Sequence, residues 1–315
     1  MKRRLRILTW HVHGNYLYNL VQVPHDFFLV SDGGRGGLHL SGRSGVLPWG
    51  PNVHEAPLER LRDMPFDVVL FQSRAEWEAR ERVLSAAQLA LPTVVLEHDP
   101  PLESPTDTRH WASGPNVLLV HVTPFNALMW DSGTTAVRVV EHGILPLQNA
   151  RYSGHIERGI VVVNNLPSRG RRVGLDIYRE AAARVPLALF GMGSTEVGGA
   201  GEVVNDRLPA TMAAHRFFFN PIRWTSLGLA IIEAMMVGLP IVGLATTELV
   251  TVIRNGENGH VDTRLDALVE TMQRLLAEPA LAREWGLAAQ RTARERFGIE
   301  RFVGDWLDVF ASVAD

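Results

Sequence analysis

Short runs of consecutive apolar residues recur along the chain. Leu5–Trp10, Asp26–Ser31, Phe66–Gln72, Pro92–His98, Asn116–Val122 and Ala136–Ile144 form a first set; Arg158–Asn165, Pro186–Gly193, His215–Pro221 and Leu239–Ala245 form a second. They are continuous rather than alternating, as parallel strands covered on both faces should be. Between them lie stretches of helical period, Ala75–Leu91 and Gly174–Val185 among them. Strand–helix alternation predicts an α/β architecture with parallel sheets. The stretch Glu141–Gly159 carries no long periodic segment and separates the two sets, and 315 residues are more than one ordinary core requires. The expectation is two Rossmann-like domains, residues 1–145 and 146–295, facing across a cleft at the carboxyl ends of their strands, where ligands bind in such folds. A helical end, residues 296–315, is expected to pack back toward the first domain. Gly33–Gly50 and Pro100–Pro105 read as loops, and Phe125–Gly133, apolar at helical spacing, reads as core.

Composition narrows the chemistry. A net charge of -3 gives no bulk basis for binding nucleic acid, and the absence of cysteine excludes disulfides, thiol nucleophiles and thiolate metal sites. Lys2 is the single lysine, which excludes a Walker loop and a Schiff-base lysine. Any phosphate must then be held by arginine, by backbone N–H groups or by a helix N-terminus. No His/Asp/Glu grouping has metal-ligand spacing, so no metal is expected. The start, basic at Lys2, Arg3, Arg4 and Arg6 and then apolar, is interrupted by His11 and His13 and reads as a first strand rather than a signal peptide. No run of about 18 apolar residues exists to form a membrane-spanning helix. The expected location is cytoplasmic, and the basic start is compatible with peripheral contact to an anionic membrane surface. The oligomeric state is not encoded in any motif.

One carboxylate interrupts the most apolar segment, Ser226–Gly243. Thr225 and Ser226 can cap a helix there and Gly228 allows close approach, which puts Glu233 two turns into a helix starting at the sheet's carboxyl edge. Glu233 either accepts hydrogen bonds from a diol, such as a ribose, or pairs with an arginine at the helix edge. Arg169, Arg171 and Arg172 follow a strand and precede a helix, a placement that suits a diphosphate and also a solvated loop. Gly191-Met192-Gly193 makes a turn after a strand. His98 ends another strand, beside Asp99, and either faces a ligand or caps the strand before Pro100-Pro101. His11 and His13 alternate along a strand and face opposite sides. His121, mid-strand, reads as a satisfied core residue, His142 as structural, and His110 as a loop residue with no evident partner.

The segment Thr225–Val261 resembles the donor-binding pattern of retaining glycosyltransferases of family 4, which have the two-domain GT-B architecture. Glu233-Ala234-Met235, Gly238, Pro240, Glu248 and Gly256-Glu257-Asn258-Gly259 carry the match. The resemblance implies transfer of a sugar, with retention, from a nucleotide diphosphate sugar to a glycan, lipid-linked or small-molecule acceptor, with no cofactor and no metal. It implies that Glu233 binds the ribose and that Arg169 stands where the family's diphosphate-clamping lysine does, with Arg172 in support. The amides of Ser226, Leu227 and Gly228 and the turn at Gly191 would meet the donor. Thr225 replaces a glutamate that contacts the donor sugar. In the first domain the resemblance points to Gly14 beside the donor phosphate and His98 near the reaction centre. Asp99 either orients His98 or binds the acceptor, and His13 is read as acceptor-binding. An epimerase of the same architecture, or a binding protein that has lost transfer, are the alternatives.

Overall fold

The computed structural model describes residues 3–34, 39–43, 47–147 and 150–314. Lys2 and parts of the Gly33–Gly50 and Glu141–Gly159 segments lie outside them. The chain divides into two units, Met1–Gly143 with Ile299–Asp315, and Ile144–Gly298.

The first unit holds seven strands: β1 (Arg6–Thr9), β2 (Asp26–Ser31), β3 (Val53–Pro57), β4 (Val68–Phe71), β5 (Thr93–Glu97), β6 (Val117–His121) and β7 (Ala136–Val139). They pair in parallel in the order β3-β2-β1-β4-β5-β6-β7. The second holds β8 (Ile156–Val162), β9 (Leu187–Phe190), β10 (His215–Asn220), β11 (Ile241–Leu244) and β12 (Gly259–Asp262), parallel in the order β12-β11-β10-β8-β9. Central strands are buried along their length, as in Val68–Phe71 and His215–Asn220, which is why the first reads as a continuous apolar run and the second carries one at Phe217–Phe219.

Three of the four edge strands depart from that rule; the fourth, β9, reads as an apolar run. Two edges, β3 and β12, mix polar and apolar residues and carry no run that the pattern identifies. The third, β7, is apolar except for Arg138 yet exposed throughout, and it ends at Val139 rather than continuing to Ile144. Ile144 instead bridges to Gly298 within the second unit. The long helix expected over Ala75–Leu91 is two, Arg74–Val83 and Ala86–Leu89, because Ser85 and Gln88 form a second capping box that restarts the helix. In the helix Pro124–Met129 the expectation of core is inverted: Leu128 is 79% exposed, and Asn126 is fully buried with neither side-chain polar atom hydrogen-bonded among the described residues.

The last helix, Ile299–Ala314, belongs to the first unit. It buries Phe302, Trp306 and Phe310, and the Trp306 indole donates to the Tyr16 hydroxyl at 3.3 Å. The basic start is engaged by acids of the same unit: Arg3 pairs with Asp67, and Arg4 lies 3.4 Å from Asp26. Arg6 stacks over Phe28.

His121 is fully buried but not satisfied, since neither ring nitrogen has a hydrogen-bond partner among the described residues. Burial lowers its pKa from 6.5 to about 3, and the nearby His110 adds to the shift. Between those values the unfolded chain binds a proton that the folded chain refuses, so stability is lost as pH falls through this window. Acidification from pH 7 to 4.5 should cost about 2–3 kcal/mol through this ring alone. Urea unfolding at the two pH values checks this, and His121→Phe should flatten the dependence by that amount.

Candidate functional site

In the first sheet, the chain builds outward in one direction from β1 and in the other from β4. The loops after these neighbouring strands therefore diverge and leave a crevice at the carboxyl edge. A cavity of about 370 Å³ lies there, lined among others by His13, Gln72, His98, Asp99, Trp111 and Trp130. Strand β1 stops at Thr9, so His11 and His13 belong to the following loop rather than to opposite faces of a strand. The His11 ring lies 2.9 Å from the Gly42 carbonyl, and His13 occupies the N-cap position of the short helix that Gly14 opens.

The network fixes the orientation of His98. The Gln72 amide donates to Thr9 Oγ1 at 3.0 Å and to the Trp10 carbonyl at 2.9 Å. This turns Gln72 Oε1 toward His98 Nε2, 3.4 Å away, so that nitrogen carries the proton. The His98 ring meets His13 and Tyr16 edge to face, at 4.4 and 4.8 Å between centroids. Burial holds His98 well below the ordinary histidine pKa and also lowers His13, so both rings are neutral near pH 7. Asp99 is anchored by its backbone: its N–H donates to Glu97 at 2.9 Å and its carbonyl accepts from the Trp130 indole at 2.8 Å. Its carboxylate makes no hydrogen bond or ion pair among the described residues. His110 is no free loop residue; it is buried, 3.1 Å from Glu97.

In the second sheet the corresponding divergence falls between β8 and β10. The loops beyond β8 and β9 are stitched together by hydrogen bonds. Asn165 N–H donates to the Met192 carbonyl and Met192 N–H to Asn164 Oδ1, at 2.8 and 3.0 Å. A Cβ on Gly191, whose φ is +130°, would stand 2.4 Å from the Val163 carbonyl oxygen, and one on Gly174 would stand 2.0 Å from that of Pro221. Only glycine permits these approaches.

On this frame Arg169 ends the short helix Leu166–Arg169 and donates to the Asn164 carbonyl at 3.5 Å. Arg172 has its Nη1 buried without a hydrogen-bond partner among the described residues. Arg171 is committed elsewhere: it pairs with Asp176 at 2.6 Å, and Asp176 also holds Arg223 through both carboxylate oxygens at 2.6 and 2.8 Å. Arg223, which grips both Asp176 and the Arg171 carbonyl, carries no motif that marks it in the sequence.

The helix after β10 runs Leu229–Val237 with Gly228 as its N-cap and no side-chain cap. Thr225 and Ser226 therefore do not cap it; they lie with Leu227 in the loop that precedes it, and Ser226 and Leu227 are buried. Glu233 is the fifth helical residue, one turn in rather than two. It is half-buried between Ile232 and Ala234, which are fully buried. No arginine or other side chain pairs with it among the described residues, and burial raises its pKa from 4.5 to about 7. Glu248, by contrast, is buried against Arg296 at 2.9 Å and braces the helix Pro279–Phe297. Among the described residues, no group of three His, Asp or Glu side chains is arranged to hold a metal, and no helix is long and apolar enough to cross a membrane.

Residues 174–278 match the family model of glycosyl transferases group 1. Over 86 residues, 27% of this chain, the sequence is 31% identical to a trehalose synthase of Pyrococcus horikoshii, and the match spans about a fifth (21%) of that protein's length. Across nearly the whole chain the structure resembles a sucrose-phosphate synthase from Thermosynechococcus elongatus (TM-score 0.73, 15% identity, covering 98% of this chain and 99% of that one). It also resembles Anabaena Alr3699/HepE solved with UDP and glucose (TM-score 0.68, 13% identity, 98% and 100% covered). A third likeness is to a glycosyltransferase from Rickettsia africae (TM-score 0.65, 14% identity, 99% of each chain). The fold is thus that of the GT-B glycosyltransferases, two parallel-sheet α/β domains. The match to the glycosyl transferases group 1 model falls within the second of them.

Proposed function

We propose that the protein transfers a sugar, with retention of configuration, from a nucleoside diphosphate sugar to a hydroxyl of a sugar-containing, lipid-linked or small-molecule acceptor. The observation that carries this is Glu233: a carboxyl in apolar surroundings, without a protein partner among the described residues, at the carboxyl edge of a switch-point sheet. A fold keeps so costly a group where a ligand supplies the missing donors, and a ribose diol supplies two. Arg169 and Arg172 stand on the neighbouring loop, where the donor's diphosphate would lie. In the proposed step the bond from the anomeric carbon to the diphosphate oxygen breaks with its electron pair leaving on the phosphate, the acceptor hydroxyl oxygen bonds to that carbon on the same face, and its proton passes to the departing phosphate oxygen. The two guanidiniums and the amides of Ser226, Leu227 and Gly228 neutralise that charge without a metal. Retention rests on the family 4 resemblance, as does the approach of Gly14 and His98 to the donor, and Asp99 and His13 are assigned to the acceptor. UDP bound to the Anabaena protein supports a nucleotide ligand for this chain.

Thermal shift against UDP, GDP and ADP, followed by turnover of the matching nucleotide sugars, tests the reading. One nucleotide should raise the melting temperature, since a ligand that binds only the native state stabilises it, and its sugar conjugate should be consumed in an acceptor-dependent way. A shift with no consumption over an acceptor panel would instead favour the binding protein that Thr225 suggests, and no shift with any nucleotide removes the donor site.

A further inference from the structure

His39 lines the same first-unit cavity as His13, His98 and Asp99, and nothing in the sequence marks it. Its backbone is in the left-handed region, with φ of 57°, where a residue with a Cβ is strained. The side chain is held from below. Nδ1 stands 2.8 Å from Glu76 Oε1 and 3.4 Å from Ser73 Oγ. Glu76 is itself buried and fixed, because its Oε2 accepts from the backbone N–H groups of Gln72 and Ser73, each at 3.1 Å. Glu76 Oε1 has no hydrogen-bond partner among the described residues, so the contact is electrostatic, and it favours a proton on Nδ1 over a bare nitrogen facing the carboxylate. In that neutral tautomer Nε2 is an acceptor, and it forms no hydrogen bond among the described residues. The Asp99 carboxylate, the second unsatisfied acceptor lining the cavity, is close enough to share with His39 and Glu76 the electrostatic environment of His13. Arg74 and Arg109 stand at the rim, exposed, and Arg74 is paired with Glu78 at 2.7 Å.

We infer that His39, oriented by Glu76, is a binding residue that with Asp99 receives the hydroxyl groups of a neutral sugar ring or similar polyol. Two acceptors lining one cavity suit a ligand rich in donors, and the Asp99 carboxylate disfavours a phosphate or carboxylate beside it. Trp111 and Trp130 supply flat apolar walls in the same cavity. The further statement that this ring is the sugar acceptor rests on the proposed transfer.

Methyl α-D-glucopyranoside is the probe, titrated into the full chain labelled with ¹⁵N-histidine. The His39 resonances should report an Nδ1–H tautomer and move with the pyranoside. His39→Ala should weaken the Kd ~10-fold, the loss of roughly one hydrogen bond. His39→Gln, which keeps an acceptor, should weaken it less, and Glu76→Gln should weaken it while changing the tautomer. His39 is partly exposed and belongs to no helix or strand, so its variants are expected to retain the fold even if Glu76→Gln does not, and circular dichroism of each variant checks this. A Kd unaltered in both His39 variants overturns the assignment, as does a pyranoside that leaves the His39 signals in place. UDP thermal shifts run in parallel separate the two readings. If they persist while the pyranoside Kd ignores His39, this assignment fails alone. If they are absent while the Kd depends on His39, this assignment stands and the donor reading fails.

Discussion

Arg172→Ala and Arg169→Ala should each lower kcat by about 10²–10³-fold, the scale of removing one preorganised charge-stabilising donor, with little change in the melting temperature. For Arg172 the reason is geometric. Its Nη1 is out of water and unmatched by any acceptor among the described residues, so the apo fold gains little from it. The backbone of the residue does the structural work instead: its carbonyl accepts from the N–H groups of Arg223 and Trp224 at 3.1 and 3.2 Å, and an alanine keeps both bonds. A charge that costs desolvation without a protein partner is expected to be repaid by an anion. Arg171 is the internal control. Its guanidinium is exposed and already neutralised by Asp176, so Arg171→Ala should leave turnover within about threefold, as for a surface ion pair. Single-turnover rates with saturating donor check the set, since they separate the chemical step from donor affinity. Equal rates for wild type, Arg169→Ala and Arg172→Ala would remove the diphosphate assignment.

The sequence reading succeeds where residue type and environment are locked together. Central strands such as Val68–Phe71 are buried on both faces and are apolar from end to end, so pattern alone exposes them. Edges are not so constrained, which is why Val53–Pro57 and Gly259–Asp262 leave no pattern and why Ala136–Val139 reads as buried but is not. Local capping chemistry decides where helices break, as Ser85 shows. At the site, Glu233 is legible because a carboxylate in an apolar run is a violation that asks for a reason, and the following motif supplies one. Its exact depth is not legible, because Gly228 rather than Thr225 or Ser226 begins the helix. The His39–Glu76 pair is invisible at the level of sequence: 37 positions apart (76 − 39), the two meet only because the strand order brings the loop after β2 beside the helix after β4. The same holds for His110 and Glu97, which a linear reading leaves unpartnered.

Glu233→Gln should strengthen the apo protein and weaken it as a nucleotide binder, and the pH dependence of both effects follows from one shift. With its carboxyl pKa raised to about 7, the folded chain holds a proton between pH 4.5 and 7 that the unfolded chain has released. Stability therefore falls as pH rises through that window, and the full penalty is present above it. At pH 8 a neutral amide removes the penalty, worth about 2 kcal/mol after allowance for the half-exposed carboxyl, or ~5 °C in the melting temperature of the second unit. Hydroxyl donors from a ribose favour the ionised form, so binding should expel the proton. Nucleotide affinity should then rise with pH through about 7 in the wild type and lose that component in Glu233→Gln. Calorimetry in buffers of different ionisation enthalpy should show close to one proton released at pH 6.5 in the wild type beyond the release seen in the variant. The variant should bind about 10–100-fold more weakly at pH 8, the range for hydrogen bonds to a charged group. A variant that is less stable at pH 8 and binds nucleotide as well as the wild type would show that the carboxyl serves the fold and not a ligand.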